Sequence, residues 1–103
     1  MRDTLKIGEF SVLGRVSVRM LRHYEKLGLL VPAETDTFTG YRYYTLEQLP
    51  RLNRIIALKE LGFSLELVGG ILANDPSVAE MRSLLNERRA LLAAKIEQSS
   101  QRL

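Results

Sequence analysis

Apolar positions recur along this chain mostly at helical spacing, and polar residues mark where each run starts and stops. Ile7 and Phe10, with Val12 or Leu13, fit a short helix of about two turns. Gly14 then permits a tight turn. Ser17 can cap a second helix by offering its hydroxyl to the exposed N–H groups of the first turn. Gly28 can close that helix in a left-handed conformation. At 100° per residue, Arg19, Arg22, His23 and Lys26 fall on one side of it, while Met20, Leu21, Tyr24 and Leu27 fall largely on the other. The spacing therefore predicts a short helix with one face to bury and one to meet negative charge. Helix, glycine-containing turn and basic helix form the helix-turn-helix pattern, in which the second helix enters the DNA major groove. An ordinary surface helix with a solvated charged side would show the same wheel.

After Gly28 the period changes. Pro32 disfavours further helix. The stretch A-E-T-D-T-F-T-G is rich in turn formers, and Y-R-Y-Y follows. Leu30–Pro32 and Tyr41–Tyr44 are predicted as two short strands of a β-hairpin wing. Alternation sends Tyr41 and Tyr43 to one face and Arg42 and Tyr44 to the other. Arg42 between tyrosines suits a backbone contact, since guanidinium binds phosphate and tyrosine hydroxyls can donate to it. The other use of these tyrosines is packing, which a two-stranded hairpin needs.

Thr45 and Gln48 spell a capping box for a third helix, with an apolar stripe at Leu49, Leu52, Ile55, Ile56 and Leu58. Pro50 in its first turns predicts a distorted or 3₁₀ start. Gly62 stops it, and Ser64 caps a fourth helix that buries Leu65, Val68, Ile71 and Leu72. Gly69 and Gly70 should weaken that helix by roughly 1 kcal/mol each relative to alanine. Asn74-Asp75-Pro76 is a break. Ser77 and Glu80 then open a fifth helix that nothing interrupts before Leu103. Its roughly 26 residues would span about 39 Å, too long to tuck against so small a domain. Val78, Leu85 and Leu92 repeat at seven, with Leu84 and Leu91 beside them. The intervening positions Met81, Arg88 and Lys95 are poor for a parallel zipper, so an antiparallel pair fits better. The seam (Val78, Met81, Leu84, Leu85, Leu91, Leu92, Ile96) calls for a partner helix. The simplest supplier is a second copy of the chain, giving a homodimer. The other supplier is a domain absent from this chain. The predicted division is 4–74 for a winged helix-turn-helix domain and 77–103 for a dimerisation helix.

Charge sharpens this picture. Residues 1–62 carry ten Lys/Arg against seven Asp/Glu, and residues 63–103 carry five against five. The whole excess of +3 lies where a nucleic-acid surface would need it. An apolar fraction of 46% argues for a folded chain. With no cysteine, disulfides, thiolate metal sites and thiol redox sensing are excluded in this chain. No apolar run approaches a membrane span and no signal-peptide core is present, so a cytoplasmic location without a membrane partner is expected. A single histidine and no glycine-rich phosphate loop after a strand argue against an enzyme. No cofactor is expected.

Together, K-I-G-E-F, V-S-V-R-M-L-R-H-Y-E-K-L-G-L-L-V-P, G-Y-R-Y-Y and L-K-E-L-G-F-S-L-E resemble the MerR family of transcription regulators, in uninterrupted order from about Leu5 to Leu72. The resemblance implies a mainly α fold: a winged helix-turn-helix with a small β-hairpin wing, two further helices and a long antiparallel coiled-coil helix. It implies a dimer on double-stranded palindromic promoter DNA, distorting an overlong spacer so that RNA polymerase engages the same promoter when an effector binds. By motif, Arg19, Arg22 and Tyr24 look like recognition-helix contacts, Arg42 like the wing contact and Lys59 like a further phosphate contact. The wheel places the Tyr24 ring on the apolar side, so only its hydroxyl could reach phosphate. The candidate surface comprises Ser17, Val18, Arg19, Arg22, His23, Tyr24 and Lys26, then Tyr41, Arg42 and Tyr43, with Lys59. His23 stands where the family often has tyrosine, and histidine brings pH dependence. Pro50 and Leu67 depart from the family pattern in helix stability rather than at the DNA surface. The motifs name no effector. The continuing helical pattern at Leu103 suggests a fragment whose effector domain lies beyond it, so this chain alone is expected to bind neither transition metals nor drug-like ligands. Two other readings share some features. An excisionase-like architectural DNA binder would share the wing but not need the dimer helix. A helix-mediated interaction module would not need the clustered arginines.

Overall fold

The computed structural model describes residues 4–101. Strand β1 (Thr4–Lys6) leads directly into α1 (Ile7–Gly14) and α2 (Val18–Lys26). Strands β2 (Glu34–Thr35) and β3 (Arg42–Thr45) follow, then a 3₁₀ turn at Leu46–Gln48 running into α3 (Leu49–Glu60). Helices α4 (Leu65–Ala73) and α5 (Val78–Gln101) complete the order. The result is a mainly helical winged helix-turn-helix. By compactness the chain divides into a first unit ending at Ile55 and a second beginning at Ile56.

Helix starts follow the chemistry of the caps. The Ser17 hydroxyl accepts from the Met20 N–H at 3.0 Å, and Ser64 does the same for Leu67 at 3.1 Å. Glu9 reaches back to the Lys6 N–H at 2.9 Å, Gln48 to Thr45 at 3.0 Å and Glu80 to Ser77 at 2.9 Å. The bond to Ser77 holds the Glu80 carboxyl below the usual carboxylate range. Gly28 has φ +74, which lets the Leu29 and Leu30 N–H groups fold back onto the Tyr24 carbonyl. The 3₁₀ turn before Pro50 is the distorted start that proline at that place demands.

The wing departs from the expected hairpin. Leu30–Pro32 is not a strand. Leu29 and Leu30 are 4% and 2% exposed, so this run serves as core. Side chains hold its carbonyls: Arg51 Nε donates to Leu29 O and Gln48 Nε2 to Val31 O, both at 2.6 Å. With Pro32 lacking an N–H, no ladder forms there. Pairing instead starts at Glu34–Thr35, and a third strand, β1, joins the other edge. The sheet order is β1-β3-β2, all antiparallel, with Leu5 opposite Tyr44 and Thr35 opposite Arg42. The connecting turn is tied by Asp36, whose carboxylate accepts from the Phe38 and Thr39 N–H groups at 2.8 and 3.0 Å. Those bonds, Thr39's first, hold the Asp36 carboxyl below its usual range.

The core of the first unit is Phe10, Leu21, Tyr24, Leu29, Leu30, Tyr44, Leu52 and Ile55. Phe10 and Tyr44 stack with ring centroids 4.6 Å apart and planes 9° from parallel, fastening α1 onto β3. Gly14 acts differently from the expected turn residue. It ends α1, and Arg15 takes the left-handed conformation at φ 57. A Cβ on Gly14 would meet Leu52 Cδ2 at 2.3 Å, and Leu52 is fully buried. Gly14→Ala is therefore expected to destabilise the chain by roughly 1–3 kcal/mol through overpacking, read as a lower denaturation midpoint.

In the second unit, Leu58, Val68, Leu72 and Met81 are buried. Helix α4 persists across Gly69 and Gly70, and the Asn74–Pro76 break follows with Asp75 at φ 46. Arg88 Nε donates to the Leu61 carbonyl at 2.9 Å, and its guanidinium lies 5.2 Å from the centre of the Phe63 ring. Val78, Leu91 and Ile96 are 63%, 63% and 68% exposed, whereas Leu84, Leu85 and Leu92 are half-buried. The positions poor for a zipper thus include Met81, which is 5% exposed, and Arg88, engaged by its own unit. The last two residues of the expected fifth helix lie outside the described residues.

Candidate nucleic-acid interface

Burial of Leu21 and Tyr24 fixes the rotation of α2. Arg19, Arg22, His23 and Lys26 are then exposed together, as the wheel predicts. Leu27, expected on the buried side, is half exposed, because it sits past the last turn of the helix. Ser17 is exposed with its hydroxyl already accepting from Met20, and Val18 is half-buried. The Tyr24 ring is a core residue at 1% exposure, and burial pushes its hydroxyl above the usual tyrosine range. Any contact it makes outside the fold is confined to the hydroxyl edge.

The sheet delivers Arg42 to this face. Arg19, Arg22, His23, Glu25, Lys26 and Arg42 line one concavity of about 500 Å³. A second, of about 520 Å³, is lined by Lys6, Ile7, Gly8, Glu9, Arg22, Gly40, Tyr41 and Arg42. Arg22 and Arg42 border both. Tyr41 is 58% exposed and Tyr43 half-buried, while Tyr44 is fully buried. Of the three wing tyrosines, the packing role therefore falls to Tyr44. Lys59 is exposed near the end of α3 and belongs to the second unit.

Glu25 was not among the residues expected here. It lies at the margin of the basic face, and its carboxylate pairs with Nε of Arg42, from a strand 17 residues away. The available signal was its place three residues after Arg22, but nothing local names its partner. Lys6, in the unpredicted strand β1, and Ile7, Gly8 and Glu9 at the expected start of α1 border the second hollow and were not among the expected surface residues either.

The Tyr44 hydroxyl is buried with no hydrogen-bond partner among the described residues. Burial pushes it above the usual tyrosine range and the Glu25 carboxylate adds to this, with Arg42 and Arg22 opposing. Raised in the fold, it favours the native state below pH ~10 and withdraws that support as pH rises through its folded value. Tyr44→Phe is expected to keep the Phe10 stack and raise stability by about 1 kcal/mol, because an orphaned donor is removed. It should also lessen alkaline unfolding. Denaturant titrations at pH 7 and 10.5 would check both.

Among the described residues, no group of three or more His, Cys, Asp or Glu is placed to hold a metal ion. No described helix is long and apolar enough to cross a membrane.

Comparison with known proteins agrees with this geometry. Residues 5–75 match the MerR HTH family of regulatory proteins, and residues 49–102 match the MerR DNA-binding model. The transcriptional activator TipA of Streptomyces coelicolor is 40% identical over 90 residues, which cover 87% of this chain and 34% of TipA. The chain thus spans about a third of that relative's length. The N-terminal portion of the Bacillus subtilis multidrug transporter activator, MtaN, superposes with a TM-score of 0.75 at 29% identity. That match covers 94% of this chain and 89% of MtaN. EcmrR, solved in complex with DNA, gives a TM-score of 0.71 at 33% identity, covering 92% of this chain and 34% of its own. With its recognition-helix geometry and these matches over most of its length, the chain belongs to the MerR family of DNA-binding helix-turn-helix regulators.

Proposed function

We propose that this chain is the DNA-binding and dimerisation part of a sequence-specific transcriptional regulator. It binds a palindromic operator within promoter DNA as a homodimer, with α2 in the major groove and the wing against the adjoining backbone. The observation that carries this reading is the shared concavity, where Arg19, Arg22, His23 and Lys26 of α2 meet Arg42 of β3. Lys59 and Tyr41 add phosphate contacts, and Ser17, Val18, Tyr43 and the Tyr24 hydroxyl edge complete the surface. Val78, Leu84, Leu85, Leu91, Leu92 and Ile96 form the dimer seam on α5, with Met81 at its inner margin. The dimer distorts the spacer of the promoter, and RNA polymerase acts on the same DNA. The similarity to EcmrR, a protein solved on DNA, supports this reading.

The test is a gel shift with a palindromic fragment recovered by selecting genomic DNA on the protein. Retention of that fragment over a scrambled one of equal length is expected. Equal retention of both, with bending but no dimer, would instead describe an architectural DNA binder.

A further inference from the structure

A carboxylate in a concavity meant for phosphate needs a reason. Glu25 lines the same hollow as Arg19, Arg22, His23 and Lys26, where it would repel a polyanion. Its carboxylate instead accepts from Nε–H of Arg42, with both side chains about a third exposed. Both ends of this bond stand on fixed backbone. Leu21 and Tyr24, four residues and one residue before Glu25 on α2, are buried and fix that turn of the helix. Arg42 sits in β3 opposite Thr35, and its neighbour Tyr44 is fully buried on Phe10. Only the long, flexible Arg42 side chain is left to be placed.

We propose that Glu25 is a positioning residue for DNA binding, which holds Nε of Arg42 so that the terminal amino groups of the guanidinium are presented to a backbone phosphate. This rests on the DNA-binding reading above and deepens it. A planar guanidinium held at Nε keeps its remaining N–H donors in a fixed fork. Among the described residues, no other group accepts from Arg42. Ordering this side chain before DNA arrives removes part of the entropy cost of binding. Glu25 thus has two opposed effects, repulsion of phosphate and preorganisation of Arg42. The proposal is that preorganisation dominates.

Two variants separate them. Glu25→Ala removes charge and acceptor together, whereas Glu25→Gln removes the charge and keeps an acceptor oxygen in place. Glu25→Ala is expected to bind both operator and random DNA at least fivefold more weakly. Its salt dependence should be shallower by about one unit for each phosphate that Arg42 no longer neutralises. Glu25→Gln should rescue both. In an Arg42→Ala background, Glu25→Ala should add nothing. In the free protein, the Arg42 Nε–H resonance should be sharp and dispersed in wild type and absent or exchange-broadened in Glu25→Ala, a readout independent of DNA. Glu25→Ala binding as well as or better than wild type would overturn the proposal, as would an equal loss with Arg42 already absent. If Glu25→Ala does not fold, Glu25→Asp serves instead. It keeps the charge but shortens the reach to Nε of Arg42 by one methylene, and should weaken binding to both DNAs as Glu25→Ala does; unchanged affinity would overturn the proposal. Wild type showing no preference for operator over random DNA would sink the function itself. Wild-type preference with unaltered Glu25→Ala would sink only the role of Glu25.

Discussion

Arg19→Ala should collapse the preference for operator over random DNA. Arg19 is exposed at the N-terminal end of α2, the end that meets base edges when such a helix enters the major groove. An arginine paired to a guanine edge supplies roughly 1–3 kcal/mol of discrimination, about fivefold to 150-fold for each half-site. Arg42→Ala should behave differently. It removes a phosphate contact, which has no direct sequence preference, and leaves Glu25 unpaired in the phosphate-facing hollow. Operator and random DNA should weaken by similar factors, and the slope of affinity against salt should fall by about one unit per phosphate released. Fluorescence anisotropy over a salt series reads both quantities. If Arg19→Ala keeps the full ratio while Arg42→Ala loses it, reader and holder are reversed. If neither changes binding beyond twofold, the basic face is only solvated.

The second large effect concerns assembly. A homodimer is expected in solution, held by the apolar seam of α5. Truncation at Pro76 would abolish it, but would also remove Met81, which is buried, and Arg88, which holds Leu61 and Phe63. Leu91→Glu with Ile96→Glu is the cleaner change, since both residues are more than 60% exposed. Each apolar side chain buried in a seam is worth about 1.5–3 kcal/mol, and in a twofold dimer each is buried twice. The double variant should therefore sediment as a monomer at concentrations where wild type is dimeric, with its thermal unfolding still cooperative. Wild type running as a single chain of 11.7 kDa at all micromolar concentrations would defeat this expectation.

The local signals in this chain proved reliable because they act over three or four residues. Ser17, Ser64, Gln48 and Glu80 make the cap bonds that their spacing predicts, and Gly28 takes the positive φ that ends α2. The 3.6-residue period fixed which side of α2 is buried and so which arginines are presented. Those are properties of a backbone helix and its own side chains, and they need no partner. The wing was also read from the residue pattern, though with its first strand misplaced at Leu30–Pro32, and the family motifs added the likeness of individual residues to DNA contacts.

Pairing and contact across the chain were decided elsewhere. Thr4–Lys6 carries no strand signal of its own and becomes one because β3 offers an open edge. Leu30–Pro32 has strand-like composition but is drawn into the core, its carbonyls satisfied by Arg51 and Gln48 from the following helix. Gly14 is required by a leucine 38 positions later rather than by its own turn. The pairing of Glu25 with Arg42 joins residues 17 apart, brought within reach because α1 packs both on α2 and on β3. Helix formation and capping depend on short sequence distances, so they are written in the sequence itself. Strand partners, close approaches and the direction of one arginine depend on which surfaces are brought together, and only the tertiary structure decides that.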